Sequence, residues 1–238
     1  MGKMGGRKQL KRHSMPPVLR LPVKSQKWLT KPVPGPHPAD MSVPLRIILR
    51  DFLKVARSAK EADRIIFSGK ILIDGVVRKN PKFPVGFMDV VQIPDIGKTY
   101  RVSVDSLGRL RLLEVGEAEA KRKLCRVIKK QTVRGGRIQL TLHDGRNVVG
   151  ELRDFRVGDT VEISLPNGEI IRRIPLSVGK WGIVMRGKNA GRTGKVEEIK
   201  TRTRTAVLSA DGDKVETSLD YVFIVGDEAP AVGVVNAA

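Results

Sequence analysis

The clearest hydrophobic pattern in the chain has the spacing of an amphipathic helix that starts near Val43. Its apolar positions recur at intervals of three and four residues, as one helix face requires; they are Leu45, Ile48, Leu49, Phe52 and Leu53. Pro44 suits the first turn of such a helix. The other side of the predicted helix carries a row of basic residues that share one arc; they are Arg46, Arg50, Lys54 and Arg57.

This row has two interpretations, a phosphate-binding stripe and an ordinary solvated helix face. No acidic residue stands four positions from Arg46, and Arg50 has only Asp51 and Glu61 near it in sequence. Neighbours of this kind would pair the row only weakly. The pattern therefore favours a phosphate partner.

A second helix and a hairpin are predicted next. Ser58 and Glu61 have the spacing of a capping box, the buried face would hold Ala62, Ile65 and Ile66, and Gly69 would end the helix. Apolar residues at 71–73 and 76–77 flank Asp-Gly, a pair that favours the positive φ angles of a tight hairpin turn. A further strand is predicted at residues 87–93.

The second half of the chain has short apolar runs between turn signals. Runs at 139–142, 148–149 and 157–163 predict a small antiparallel barrel or sandwich. Runs at 182–185 and 196–199 flank the stretch MRGKNAGRTGKV, so its glycines would bend a strand, a turn and a strand.

The first 41 residues differ from the rest, with seven prolines and no acid before Asp40. The prolines exclude a long helix, so we expect an extended segment without a core of its own, anchored by Trp28, Leu29 and Val33. It would be a basic arm along a phosphate backbone, or a flexible solvated tail.

Charge identifies the class of partner. Of 238 residues, 45 are Lys or Arg and 25 are Asp or Glu, a formal charge of +20. Nucleic acid is the first partner to expect and an anionic membrane surface a distant second. Aromatic residues make up 4% of the chain, so contacts should go mainly to phosphate and sugar rather than to stacked bases.

Several chemistries are disfavoured by the sequence. One cysteine and three histidines without ligand spacing predict no metal site, and Gly194-Lys195 lacks the spacing of a phosphate loop, since Asn189 stands where the first glycine should be. We expect no cofactor and no small-molecule substrate. His143 beside Asp144 could form an acid-base pair, but a turn before Gly145 explains the dipeptide better. Without a long apolar run or a secretion signal, a soluble intracellular protein is expected.

The fold class predicted from these patterns is α+β, mainly β. Four units are expected: a basic proline-rich extension at 1–41, a helix-helix-hairpin domain at 42–106, a central β-rich domain at 107–174 and a C-terminal small barrel at 175–238. Their net charges are +8, +5, +6 and +1, so positive charge is concentrated toward the N-terminus.

Specific stretches resemble known families. The run PLRIILRDFLKVARSAKEADRIIFSGKILIDGVVRKN is similar to the S4-type RNA-binding domain, and NPKFPVGFMDVVQI and GGRIQLTLHDGRN resemble the archaeal and eukaryotic small-subunit ribosomal protein family S4e. The glycine-rich stretch at 185–196 resembles a KOW motif in an SH3-like barrel. Where the wider S4 family has Asn-Gly and an Asp, this chain has Asp74-Gly75 and Ile47, which fits the ribosomal family better.

The resemblance implies a structural protein of the small ribosomal subunit, located on cytoplasmic ribosomes, with small-subunit ribosomal RNA and neighbouring ribosomal proteins as partners. The compact length suggests an archaeal-type member. The expected RNA-binding residues are Arg7, Lys8, Lys11, Arg12, Arg46, Arg50, Lys54, Arg57, Lys60, Arg64, Lys70, Arg78, Lys79, Lys82, Arg134, Arg137, Arg186, Lys188, Asn189, Arg192 and Lys195. The expected turn glycines are Gly75, Gly187, Gly191 and Gly194.

A wider basic cluster is a plausible second contact surface in the central unit; it comprises Lys121, Arg122, Lys123, Arg126, Lys129, Lys130, Arg134 and Arg137. Two alternatives remain for the function as a whole. One is an RNA-modifying enzyme, such as a pseudouridine synthase, with an appended RNA-binding domain, although about 130 residues in two small β-rich units leave little room for a catalytic domain. The other is a KOW-containing transcription factor. A non-enzymatic role is favoured.

Overall fold

The computed structural model describes residues 9–19, 21–210 and 213–227, and within them most regular structure is β. The strands are β1 Leu10–Lys11, β2 Trp28–Leu29, β3 Ser42–Pro44, β4 Leu72–Ile73, β5 Val76–Val77, β6 Pro84–Gly86, β7 Val90–Ile93, β8 Lys98–Val104, β9 Leu110–Glu114, β10 Arg122–Thr132, β11 Ile138–Leu142, β12 Asn147–Gly150, β13 Thr160–Ser164, β14 Ile170–Ile174, β15 Trp181–Val184, β16 Thr193–Lys200, β17 Thr205–Ala210, β18 Asp213–Ser218 and β19 Val222–Gly226. The helices are α1 Leu45–Ile47 with its π-helical continuation Ile48–Phe52, α2 Ala59–Phe67 and α3 Glu117–Ala120. Short 3₁₀ helices lie at Arg12–Ser14, Ala39–Met41, Pro94–Ile96, Arg134–Gly136 and Leu219–Tyr221.

The first helix is shorter and wider than the sequence pattern predicts. Only one turn is α-helical, after which the Leu53 N–H donates to the carbonyl of Ile48 at 2.9 Å, the spacing of a π-helix. Ile47, outside the predicted apolar face, is fully buried. The N-terminal segment contacts this helix, since Arg46 donates to Thr30 at 3.3 Å, and buried side chains of both belong to one core.

The second helix begins at the expected cap. The Ser58 hydroxyl accepts from the Glu61 N–H at 3.2 Å. The Glu61 carboxylate, however, reaches back to the N–H of Arg57 at 2.8 Å rather than to that of Ser58. The first contact satisfies an amide group that the first helical turn leaves without a partner, and the second holds the backbone just before the cap.

The second unit is organised around a five-stranded antiparallel sheet in the order β5-β4-β7-β8-β9. Strands β4 and β5 pair across Asp74 and Gly75, whose φ angles are 53° and 76°. Strand β9, Leu110–Glu114, lies beyond residue 106, where the second unit was predicted to end, but it pairs with β8. One sheet therefore includes strands on both sides of the predicted boundary.

The prediction of a strand at residues 87–93 was wrong for residues 87–89. Regular pairing begins only at Val90. Met88 has a φ of 69°, and the Asp89 carboxylate accepts from the Gly86 N–H at 2.9 Å, so a side-chain hydrogen bond closes a turn between β6 and β7.

The central unit has a sheet in the order β12-β11-β10-β13-β14 with its own small core. That core is formed by Cys125, Val127, Leu140, Leu142, Val161 and Ile163. The turn at residues 143–146 joins β11 to β12, and Gly145 there has a φ of 78°.

The C-terminal unit has a sheet in the order β18-β17-β16-β15-β19, and its core is continuous with that of the second unit. The N-terminal segment contributes to this same core. Its buried side chains are Val18, Leu19, Leu21 and Leu29. The described part of the predicted arm is therefore packed against the protein rather than free, although it has no core of its own, as expected.

Candidate nucleic-acid interface

The two arginines of the first helix are ion-paired within the chain, contrary to the sequence argument. Arg46 makes a bidentate pair with Asp63 of α2, with both N–O distances at 2.7 Å. Arg50 pairs with Asp51 at 2.7 Å. Asp63 is far from Arg46 in sequence and comes close to it only because the fold brings α2 against the first helix, so sequence neighbours did not indicate this pair.

The cations that follow the first helix are exposed instead. Lys54 adopts a φ of 54° just after the π-helical turn, and the first turns of α2 continue the basic surface. No described residue forms an ion pair with any member of this group. Its members are Lys54, Arg57, Lys60 and Arg64.

Other predicted RNA-binding residues of the first and second units differ in how exposed they are and in whether another side chain already contacts them. Lys70 is exposed but pairs with Asp95 at 2.5 Å, and the guanidinium of Arg78 lies 4.7 Å from the ring of Phe83. Lys11, Lys79 and Lys82 are exposed. Arg12 is only 2% exposed and lies 3.8 Å from Asp51, so it is not positioned to bind a phosphate. Arg7 and Lys8 lie outside the described residues.

The wider basic cluster of the central unit is divided by the fold. Arg134 and Arg137 are exposed at the tip of the β10–β11 hairpin, whose Gly135 and Gly136 both have positive φ. Lys121, Arg122 and Lys129 are also exposed. By contrast, Lys123 is fully buried and Arg126 is 8% exposed, so these two residues are not part of any contact surface.

The glycine-rich loop at residues 185–192 has an inner and an outer side. Arg186 pairs with Asp40, and the Asn189 side-chain amide donates to the Glu216 carbonyl at 3.3 Å. Lys188, Arg192 and Lys195 are exposed. The inner side therefore contacts the chain itself, and the outer side is basic.

The three glycines of this stretch have different roles. Gly187 and Gly191 have φ angles of 90° and 81°, as turns require. A Cβ on Gly191 would also lie 1.8 Å from the Asp105 carbonyl oxygen. Gly194 was wrongly predicted as a turn residue: it lies inside β16, where a Cβ would be 1.9 Å from the Ser209 carbonyl oxygen of β17.

The strands β16 to β18 carry an outer surface in which cations are neutralised locally. Lys214 pairs with Glu197 at 2.9 Å and Arg204 pairs with Asp220 at 3.0 Å, and all four side chains are largely exposed. Lys200 lies 3.5 Å from Glu216. A surface with paired charges attracts a polyanion much less than the unpaired lysines and arginines described above.

A buried ionic cluster joins the second and central units and was not predicted from sequence. Lys123 Nζ lies 2.6 Å from carboxylate oxygens of both Asp74 and Asp89 and 3.1 Å from Asp144. Arg146 contacts Asp74 at 2.9 Å and Asp144 at 3.2 Å. The cluster, defined as these five residues, compensates each buried charge with opposite charges at hydrogen-bond distance.

The pKa shifts in the cluster follow from this arrangement. Burial alone would raise the pKa of Asp89, but His37, at 2.9 Å, and Lys123 lower it well below its usual range. Burial would lower the pKa of Lys123, but Asp89 and Asp74 hold it well above the usual range. Asp89 and Lys123 therefore keep their charges at neutral pH, which suits a structural role, whereas burial raises the pKa of Asp74.

His143, considered above as one half of an acid-base pair, is also structural. Its Nδ1 accepts from the Arg126 N–H at 3.2 Å, its Nε2 lies 3.2 Å from the Phe87 carbonyl oxygen, and its ring packs on Phe223. Burial lowers its pKa to about 4. Asp144 is occupied by Lys123 and Arg146, so the dipeptide forms a turn and an anchor between units.

Within residues 9–19, 21–210 and 213–227, no group of three or more His, Cys, Asp or Glu is arranged to hold a metal ion. No helix in the same ranges is long and apolar enough to span a membrane.

The matched family models define a class of RNA-associated protein built from an S4 domain and a KOW motif. The S4 domain model matches residues 44–91, the KOW motif model matches residues 178–215, and the model described as ribosomal family S4e matches residues 96–170. The first two ranges contain the two helices with the β4–β5 hairpin and the glycine-rich loop, respectively.

Full-length relatives then give the particular family. The chain is 47% identical to small ribosomal subunit protein eS4 of Methanothermobacter thermautotrophicus over 237 residues, covering 98% of each chain. It is 43% identical to the protein of that name from Methanocaldococcus jannaschii, covering 98% of this chain and 99% of the relative. The crystal structure of the 30S ribosomal protein S4e from Thermoplasma acidophilum superposes with a TM-score of 0.70 at 34% identity, over 79% of this chain and 96% of that one. The chain belongs to ribosomal family S4e, as its motifs suggested.

Proposed function

We propose that this chain is a structural component of the small ribosomal subunit and that it binds ribosomal RNA through phosphate and sugar contacts. The observation that carries the proposal is its similarity, over 98% of its length, to relatives named small ribosomal subunit protein eS4. Assembly into that subunit would place the protein on cytoplasmic ribosomes, in contact with RNA and with neighbouring ribosomal proteins.

The proposed RNA contacts are those of the residues predicted from sequence that are exposed cations and form no ion pair with a described residue. Each such group would neutralise a phosphate and release a counterion, which supplies much of the affinity of any nucleic-acid complex. They are Lys11, Lys54, Arg57, Lys60, Arg64, Lys79, Lys82, Arg134, Arg137, Lys188, Arg192 and Lys195. Arg46, Arg50 and Arg186 are assigned to holding the fold together through their carboxylate partners, and Lys70, Arg78 and Asn189 are secondary candidates.

We further propose four units at 1–41, 42–115, 116–174 and 175–238, which moves the boundary predicted at residue 106 because β9 pairs with β8. In this proposal the last unit is an SH3-like barrel and the central unit a small barrel or sandwich. The three folded units would fix the mutual positions of RNA segments, and no catalytic step is assigned. The full-length match to relatives named as ribosomal proteins supports this role over a modifying enzyme or a transcription factor.

Two measurements test the proposal. The purified chain should sediment with small ribosomal subunits in low salt, and its affinity for small-subunit RNA should fall steeply as salt rises. Failure to associate, or an affinity independent of salt, would contradict it.

Charge reversal locates the contact surface. The double variant Lys54→Glu, Lys60→Glu should weaken RNA binding and flatten the salt dependence, with unchanged thermal stability, because both side chains are exposed and unpaired. The double variant Lys200→Glu, Lys214→Glu is the matched control, since it changes the net charge equally on a surface whose lysines are already paired with acids. Equal effects of the two changes would argue for general charge attraction instead of a defined surface.

A further inference from the structure

The outer face of strands β10, β11 and β12 is mainly polar, apart from the exposed Val149, and none of its residues within the strands is among the proposed contacts. Two rows of paired residues cross the three strands; they are Lys129↔Thr141↔Asn147 and Gln131↔Gln139↔Val149. Because side chains alternate between the faces of a strand, these six residues point the same way. The intervening residues Leu140 and Val148 point to the other side and pack in the core of the central unit.

This face is suited to a polyanion by its charge. The three strands contain no acidic residue, and no acid occurs anywhere between Lys121 and His143. Lys129 stands at one end of the face, and Arg134 and Arg137 stand at the hairpin tip at the other end. Glu151 follows β12 just outside the sheet.

The chemistry between these cations is that of amides and a hydroxyl. Gln131 and Gln139 make no side-chain hydrogen bond to the described chain, and both are partly exposed. Thr141 and Asn147 are hydrogen-bonded to each other at 2.7 Å and keep further donors and acceptors. No aromatic residue lies in the three strands, so stacking of unpaired bases is not available here.

We propose that the outer face of β10–β12 docks in the minor groove of an RNA double helix, a partner class that rests on the proposed ribosomal function. The minor groove of A-form RNA is wide and shallow and displays 2′-hydroxyls and base edges. Three strands about 4.8 Å apart present a shallow surface about 10 Å across. Side-chain amides and hydroxyls can donate to and accept from those groups, while Lys129, Arg134 and Arg137 contact the flanking phosphates.

A tethered iron chelate tests the groove directly. The chain has one cysteine, Cys125, which is fully buried, so a chelate attached to the Gln139→Cys variant reports from that position alone. In assembled small subunits, hydroxyl radicals should cut both strands of one RNA helix with cuts staggered toward the 3′ ends, as a source in a minor groove does. Gln92→Cys, in β7 of another sheet, is the control and should not give that pattern.

The outcomes separate the two proposals. Cuts confined to an unpaired loop, or no cuts in a variant that enters the subunit, would overturn docking in the minor groove and point to a loop or a protein neighbour. Failure of the unmodified chain to enter the subunit would contradict the ribosomal function instead.

Binding to short duplexes gives a second readout. The double variant Gln131→Leu, Gln139→Leu should bind an RNA duplex about tenfold more weakly, as expected for two lost hydrogen bonds, and a DNA duplex of the same sequence with unchanged affinity. Gln92→Leu should change neither affinity. No loss on RNA, or the same loss on RNA and DNA, would overturn the proposal, because neither result involves 2′-hydroxyls.

Discussion

At the scale of single residues, Lys123 shows how burial changes the role of a charge. Its side chain is fully enclosed and lies at hydrogen-bond distance from Asp74 and Asp89 of the second unit. Asp144 of the central unit completes its surroundings at 3.1 Å. Removing the ammonium would leave buried carboxylates without their main counter-charge.

We expect Lys123→Met to lower the free energy of unfolding by about 3–5 kcal/mol, the cost of breaking a buried ion pair from one side. Urea denaturation followed by circular dichroism measures the loss. Lys129→Met, an exposed position in the same strand, is the control and should change stability by less than about 0.5 kcal/mol. Similar effects of both substitutions would show that the cluster contributes little.

His143 gives a pH dependence whose sign can be worked out. Burial and the nearby His37 and Lys123 lower its pKa to about 4 in the folded chain, against about 6.5 when unfolded. Between these values the unfolded state binds more protons, so stability rises with pH. The folded chain therefore has its full stability with respect to His143 above pH 6.5, and it loses this stability as the pH falls toward 4.

His143→Gln should reduce this dependence, because an amide can replace both ring hydrogen bonds without titrating. The stability difference between the original chain and the variant should shift by up to about 3 kcal/mol between pH 7 and pH 4, since each pKa unit corresponds to about 1.4 kcal/mol. Denaturant midpoints across that range measure the shift. A constant difference across the range would mean that His143 titrates normally in the fold.

These residues also mark the limit of sequence analysis. Local patterns identify the cap at Ser58, the Asp-Gly turn and the apolar face that holds Leu45, Ile48 and Leu49, because neighbours in the chain determine them. The ion pair of Arg46 with Asp63 and the burial of Lys123 depend on which elements meet in space. The cation-rich stretch after Lys121, which contains no acid before Asp144, gave no sign that two of its cations would be enclosed.

At the scale of elements, the glycine-rich loop shows how a short motif is fixed by its neighbour. The inner side of the loop contacts the turn between β8 and β9, where Gly191 approaches the backbone of Asp105. Its φ of 81° and this close approach both require glycine. The turn geometry was predictable from sequence, whereas the contact with the second unit was not, because nothing local indicates which surface a loop meets.

Gly191→Ala should therefore destabilise the protein through two separate effects. The left-handed conformation alone costs about 1–2 kcal/mol for alanine, and displacement of the β8–β9 turn should add at least as much. Gly97→Ala isolates the first effect, because Gly97 has a φ of 68° and no atom within 4 Å of an added Cβ. Thermal denaturation of both variants measures the difference, and equal losses would indicate that the loop moves away from the turn without cost.

At the scale of the whole molecule, the units are joined by two kinds of contact. The second and C-terminal units share one continuous apolar core, which also includes side chains of the N-terminal segment. The central unit has a small core of its own and contributes only Leu124 and Ile174 to the buried residues of the larger core. Polar contacts join it further to the other units, with the buried ionic cluster at one side and Arg126 at the other. Arg126 donates to the carbonyl oxygens of Leu219, at 2.9 Å, and Asp220.

The central unit should consequently be the first to separate when these polar contacts are weakened. We expect the unmodified chain to unfold in one transition, with equal calorimetric and van't Hoff enthalpies. In the Arg126→Met variant the two enthalpies should differ, because unfolding is no longer a single transition. Amide exchange should then accelerate first at Val127, Leu140 and Leu142, in the small core of this unit, because few apolar residues join the unit to the larger core and a double hydrogen bond between units has been removed. Arg204→Met is the matched control, because it also loses a contact to Asp220. This pair is exposed and lies within the C-terminal unit, so the variant should still unfold in one transition. Faster exchange in the C-terminal strands before the central ones would contradict this division of the molecule.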